Sequence, residues 1–232
     1  MTVVDTARMP VTVSADDPAY TAAPPPWTLE GSGVVLLFGR PADSVLERWV
    51  PESLHAAYVG GPAALMLVDY VSSPAGPYRE LLFVPGRFRV AGGVRPIITR
   101  IVVSTWESVA NGRLNWAIPK ETAEFKTDRT SRAQRWEVSQ GTDRLAEISV
   151  TGRGPAFPVT TALLPGAWTT VAQPRNEDFL LTSLASRGRC RVGRCDAIAL
   201  GPSAFPDLAP ARPGLTLVVE RFQMKFPVPV VV

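Results

Sequence analysis

Apolar positions recur at strand spacing along most of the chain. The first strong run is Gly33–Gly39, with Val34, Val35, Leu36, Leu37 and Phe38 together. Similar segments follow at Ala63–Val71, Tyr78–Val84, Phe88–Val90 and Ile97–Ser104. Further on, Gln134, Trp136 and Val138 alternate with Arg135, Glu137 and Ser139, and after Gly141 the residues Ala146, Ile148 and Val150 alternate with Glu147 and Ser149. Period-two alternation on both sides of a turn predicts a half-buried hairpin. Near the C-terminus Phe222, Met224 and Phe226 alternate with Arg221, Gln223 and Lys225.

Helical spacing is rarer. Pro41 opens ADSVLERWV, where Val45, Leu46 and Trp49 share a face and Pro51 stops the run. A second short helix is expected over Thr105–Asn111, with Gly112 as its C-cap. About ten strands with two or three helices predict a mostly β fold, an antiparallel barrel or sandwich with closed or covered edges. Helices do not alternate with strands, and neither a G-x-G-x-x-G turn nor a P-loop is present, which disfavours a parallel nucleotide-binding sheet. Residues 1–26, ending in Pro24-Pro25-Pro26, read as an irregular N-terminal arm, and residues 27–232 read as one domain.

Composition sharpens this picture. The chain has 232 residues, of which 46% are hydrophobic and 23 are proline, enough to bury a core but unsuited to a helical bundle. His55 is the lone histidine, so no zinc or iron site with several imidazoles can form within one chain, and acid–base chemistry falls to lysine, carboxylates or tyrosine. No metal or organic cofactor is called for. A net charge of +3 is too mild to imply nucleic acid, even with Arg187, Arg189, Arg191 and Arg194 at mostly even spacing. Cys190 and Cys195 read as two free thiols in or beside a strand. With no signal-like leader and no apolar stretch near the ~20 residues of a membrane helix, a soluble cytoplasmic protein is expected.

Two segments carry candidate chemistry. In ESVANGRLNWAIPKETAEF, Lys120 follows an apolar run and the rigid Pro119. Desolvation there would disfavour the ammonium and free the amine as a nucleophile, whereas the alternative is a lysine that snorkels to water. Some forty residues upstream, Tyr78-Arg79-Glu80 opens a strand after the Gly76-Pro77 turn, so that Tyr78, Glu80 and Leu82 form one row. That row either faces a barrel interior or leaves Glu80 exposed on a sheet rim.

G-R-x-x-x-x-x-P-K, preceded by Y-x-E at this distance, resembles the acetoacetate decarboxylase family. FGRPADSVLERWVPESL, DAIALGPSAFPDLAP and Met9-Pro10 are similar to further landmarks of that family. The resemblance implies a cone-shaped antiparallel β-barrel whose lysine forms a Schiff base with a ketone or keto acid, and acetoacetate decarboxylase is itself the standard example of an amine activated for this purpose. It makes Lys120 the nucleophile and Glu80 the group that moves protons or orients a substrate carboxyl. Arg113 becomes a candidate anion contact or structural ion pair, with Tyr78 and Glu121 beside the substrate.

The chain departs from the family pattern at three positions. Glu121 stands where the decarboxylases carry a second lysine, Leu65 aligns with a second glutamate, and Ser32 aligns with an arginine. A carboxylate at 121 would raise the lysine pKa if the two interact. The departures point away from acetoacetate itself and towards another small oxo substrate, through decarboxylation or aldol condensation with dehydration, as in divergent relatives of secondary metabolism. The resemblance also implies a homo-oligomer, at least a dimer. The rival reading is a barrel that binds a ligand, or cyclises one non-covalently, without an imine. A Lys120 paired with Glu121 at the surface would favour that rival.

Overall fold

The computed structural model describes residues 12–209 and 211–232. The Met9-Pro10 landmark lies outside the described residues, as does Pro210 at the end of the DAIALGPSAFPDLAP segment.

Alternation builds a single large sheet. Its strands are β1 (Trp27–Phe38), β2 (Ala63–Ser72), β3 (Tyr78–Val84), β4 (Arg100–Val103), β5 (Lys120–Thr122), β6 (Glu124–Arg129), β7 (Ala133–Gln140), β8 (Asp143–Gly152), β9 (Ala185–Leu200) and β10 (Leu215–Phe226). They lie in the order β5–β4–β3–β2–β1–β10–β9–β8–β7–β6, and Phe157–Thr160 adds an eleventh strand along β9. The two ends of that order, β5 and β6, are consecutive in sequence. Only Ala123 separates them, and its N–H donates to Val103 O at 2.8 Å. The sheet is therefore a nearly closed barrel, as closure of exposed edges requires.

Neighbouring strands are antiparallel except β4 and β5, which run parallel. A parallel pair needs a crossover rather than a tight turn. Helix α2 (Trp106–Trp116) supplies it; helix α1 (Asp43–Trp49) instead covers the barrel with buried Val45 and Trp49. The strands total seventeen among the described residues, against about ten expected. Most of the excess lies in short pieces of two small three-stranded sheets. The first strand begins at Trp27 rather than Gly33, because Trp27 and Leu29 are buried between exposed Thr28 and Glu30, a weaker alternation than the apolar run after it.

Side chains alternate between two cores on opposite faces of shared strands. Leu36, Leu65, Leu67, Leu81, Phe83, Val102, Trp136 and Ile148 come from strands around the sheet and meet in one cluster, which fills the barrel. The intervening residues, including Tyr70, Tyr78, Leu82, Ile101 and Val103, face outward into a second apolar layer with Trp27, Leu29, and Val109 and Trp116 of α2. The Tyr78–Glu80–Leu82 row therefore lies under the helix, not in the barrel interior.

Trp136 is fully buried in the barrel core. Trp136→Ala should lower unfolding free energy by about 3–5 kcal/mol in urea titrations, whereas Leu163→Ala, at an exposed position, should change it by less than about 0.5 kcal/mol.

Candidate active site

Strand register brings the chemistry together. Tyr78 and Glu80 occupy alternate positions of β3, and Tyr70 of β2 lies opposite Tyr78. On the other side Glu80 pairs with Val103 of β4, and Ile101 of β4 pairs with Lys120 of β5. Lys120 and Glu80 thus stand on strands separated only by β4, facing the same side, and α2 closes over them.

The Lys120 ammonium meets three oxygens. Glu80 Oε2 is 3.1 Å from Nζ, Ser108 Oγ is 2.9 Å away, and the Tyr78 hydroxyl is 3.5 Å away. Tyr70 donates its hydroxyl to Glu80 Oε1 at 3.3 Å. Lys120 and Glu80 are each only 4% exposed, so both charges have left water and depend on each other.

The electrostatics differ from the expectation of an amine freed by desolvation. Burial does pull Lys120 downward, but the charges and hydrogen bonds of Tyr78 and Glu80 outweigh it, so its pKa is raised. Burial likewise pushes Tyr78 up to about 12 and Tyr70 well above the usual phenol range. At neutral pH the cluster holds an ammonium among neutral hydroxyls, and any nucleophilic role requires a proton to leave Nζ.

The local sequence makes room for this lysine at one position. Helix α2 does not end at Gly112 as expected. Thr105 caps its start by accepting from Ser108 N–H, and the helix continues to Trp116, with left-handed Ala117 (φ 53°, ψ 28°) as its C-cap. Gly112 lies inside the helix because the lysine crosses it there. A Cβ at Gly112 would sit 2.7 Å from Lys120 Cδ and 2.9 Å from Cε.

The structure gathers Lys120, Glu80 and Tyr78, and leaves Arg113 and Glu121 apart from Nζ. Arg113 Nε donates to the Lys120 carbonyl at 2.9 Å and Nη1 to Thr12 O at 3.2 Å, which ties helix, strand and arm together. Glu121 points to the other face of the sheet, 2.6 Å from Arg100, and accepts from Gln140 Nε2 at 3.3 Å. The carboxylate that raises the lysine is therefore Glu80 rather than Glu121. Leu65 is buried in the barrel core, and Ser32 Oγ accepts from Arg129 Nη1 at 2.9 Å.

Ser108 and Tyr70 escaped sequence reasoning, as did the packing role of Gly112. The usable signals were slight: Ser108 and Gly112 share a helix face at i, i+4, and the Ser73–Gly76 turn sets Tyr70 opposite Tyr78. Among the described residues, no group of three or more His, Cys, Asp and Glu side chains could hold a metal, and no helix is long and apolar enough to cross a membrane. His55 Nε2 contacts Val50 O at 2.8 Å, and both cysteines are free. A cleft of about 530 Å³ lined by Ser53, Tyr58 and Arg89 shares no residue with the lysine cluster.

Comparison with known proteins identifies the family and the fold. The family described as acetoacetate decarboxylase (ADC) matches residues 8–184. No curated protein matches the chain. Among solved structures, acetoacetate decarboxylase from Legionella pneumophila is similar with a TM-score of 0.64 at 13% identity, covering 94% of this chain and 92% of that one. An acetoacetate decarboxylase-like enzyme from Sphingomonas wittichii RW1 gives a TM-score of 0.69 at 13% identity, with 95% and 98% covered. The enduracididine biosynthesis enzyme MppR complexed with pyruvate gives 0.64 at 14% identity, with 94% of each chain covered. At these identities the likeness establishes the fold.

Two outcomes follow for stability. Gly112→Ala should destabilise the protein by about 1–3 kcal/mol in urea, through overpacking against Lys120, although alanine is the better helix former by about 1 kcal/mol. A stabilised variant would contradict this packing. Because the folded pKa of Lys120 is raised, the stability tied to its charge is intact below the ordinary lysine value of 10.5 and declines as pH climbs through the folded value. Tyr70 and Tyr78 act with the same sign above 10. Lys120→Met should therefore show a shallower loss of stability above pH 10.5 than the wild type, read by denaturant titration at fixed pH.

Proposed function

This chain belongs to the acetoacetate decarboxylase family, and on that premise we propose that it is a lyase forming a Schiff base between Lys120 and a small oxo acid or ketone. The buried contact of Lys120 Nζ with Glu80 Oε2 carries this reading. It pairs the amine with the base that must deprotonate it.

The steps to the iminium balance without further reagents. Glu80 takes a proton from the Lys120 ammonium, and the neutral amine adds to the substrate carbonyl carbon. The added nitrogen, now positively charged, passes one of its protons to the alkoxide oxygen to give a neutral carbinolamine. Glu80 then returns its proton to the leaving hydroxyl, water departs, and an iminium remains. The iminium accepts the electron pair released when a carboxylate on the neighbouring carbon, as in a β-oxo acid, leaves as carbon dioxide, or when a C–H on that carbon loses its proton, giving an enamine that adds to an aldehyde co-substrate and then loses water. Tyr78, protonated at neutral pH and 3.5 Å from Nζ, would then hydrogen-bond the developing oxygen.

Glu121 argues against acetoacetate as the natural substrate. A carboxylate stands where a second lysine would supply a cation, and it pairs with Arg100 on the face away from Nζ. The solved MppR complex with pyruvate makes pyruvate the first oxo acid to test. One observation favours the rival, a ligand-binding or non-covalent cyclase barrel: the ammonium already has three oxygen partners and must give up a proton before it reacts.

Borohydride trapping separates the two. Incubation with pyruvate or acetoacetate and borohydride should add the mass of the reduced substrate once, with the adduct mapping to Lys120 and absent in Lys120→Met. Glu80→Gln should slow trapping by about 10²-fold or more. No adduct with any oxo acid, or an adduct that persists in Lys120→Met, would overturn the imine and leave the non-covalent reading.

A further inference from the structure

Ser108 is the third residue of α2 and is fully buried, although serine at such a position ordinarily turns to solvent or to the helix cap. The cap is already made by Thr105. The Ser108 hydroxyl is therefore free for the cluster beneath, where Oγ lies 2.9 Å from Lys120 Nζ.

Counting protons shows what this hydroxyl does. An ammonium has three N–H donors and no acceptor, and a serine hydroxyl has one donor and two lone pairs. With Lys120 charged, Ser108 accepts from Nζ, and its own O–H is directed away from the ammonium. Once Glu80 holds the lysine proton, Nζ gains a lone pair, and the Ser108 O–H can turn to cover it.

We propose that Ser108 is a positioning residue, whose hydroxyl clamps Lys120 Nζ beside Glu80 and governs how readily the amine becomes free to attack a carbonyl. This inference rests on the imine chemistry proposed above. The groups around Nζ are few. Glu80 and Tyr78 face it from β3, with Tyr70 of β2 reaching it through Glu80. Arg113 of α2 is engaged with the Lys120 backbone, and the Glu121–Arg100 pair lies on the opposite face. Among the described residues, Ser108 is thus the one partner of Nζ that can be removed without deleting a titratable group.

The chain has three lysines, Lys120, Lys126 and Lys225, so their ¹⁵Nζ resonances can be resolved in lysine-labelled protein. Ser108→Ala removes an acceptor from the ammonium. It should lower the pH midpoint of the Lys120 resonance by about one unit, since a charged hydrogen bond is worth that much or more. The rising limb of the pH profile for borohydride trapping with pyruvate should move to lower pH by the same amount, with little change in urea midpoint.

A well-folded Ser108→Ala whose Lys120 midpoint and trapping profile both coincide with wild type would overturn the proposal. Should trapping fail in every protein, the imine reading falls, and the resonance midpoint still decides whether Ser108 holds the lysine as an ammonium.

Discussion

The contact between Lys120 and Glu80 constrains everything around it. Two charges that are each 4% exposed can remain only if they face each other and if their remaining donors and acceptors are met. That requirement places a lysine strand two positions from the glutamate strand, and the strand between them presents Ile101 and Val103 on the same face. It also demands a lid of protein, which α2 provides with Ser108 and Gly112 one turn apart. The third N–H of the ammonium falls to Tyr78, and the second oxygen of the carboxylate to Tyr70. Replacing either charge leaves the other stranded, a loss of about 3–5 kcal/mol for typical buried pairs.

The parallel pairing of β4 with β5 is the structural expression of this constraint. Elsewhere in the sheet, neighbouring strands are antiparallel. Here the chain leaves β4 at Val103, crosses as α2 and returns at Lys120 in the same direction. Alternation then sends Lys120 towards the helix and Glu121 towards the barrel core, so that neighbouring residues serve separate ion pairs on the two faces. A single-residue slip in β5 would exchange them.

Much of this was legible in the sequence where the signal was local. The β2 and β3 strands, the Trp136–Ile148 hairpin and the buried face of α1 follow from spacing alone. The row of Tyr78 and Glu80, and a lysine after Pro119, were also visible. The remainder depended on contacts between distant segments. Gly112 looked like a helix end because glycine is a common C-cap; its actual reason is a lysine side chain eight residues later. Ser108 and Tyr70 carry no motif, and their role exists only once the β4–α2–β5 crossover is formed. The face on which Glu80 lies needed the closure of the barrel, which no single strand reveals. Arg113 resembled an anion contact because a guanidinium serves a backbone carbonyl and a carboxylate equally well.

The account rests on Lys120 becoming a covalent partner of the substrate, and carbon–nitrogen coupling tests this without a reductant. Protein carrying ¹⁵N only in its lysines is mixed with [2-¹³C]pyruvate and observed by NMR. We expect an iminium carbon resonance split by one-bond coupling to a single lysine nitrogen, lost in Lys120→Met and weakened in Glu80→Gln. A bound carbon that stays a ketone with no coupling, or a coupling to Lys126 or Lys225 instead, would contradict it.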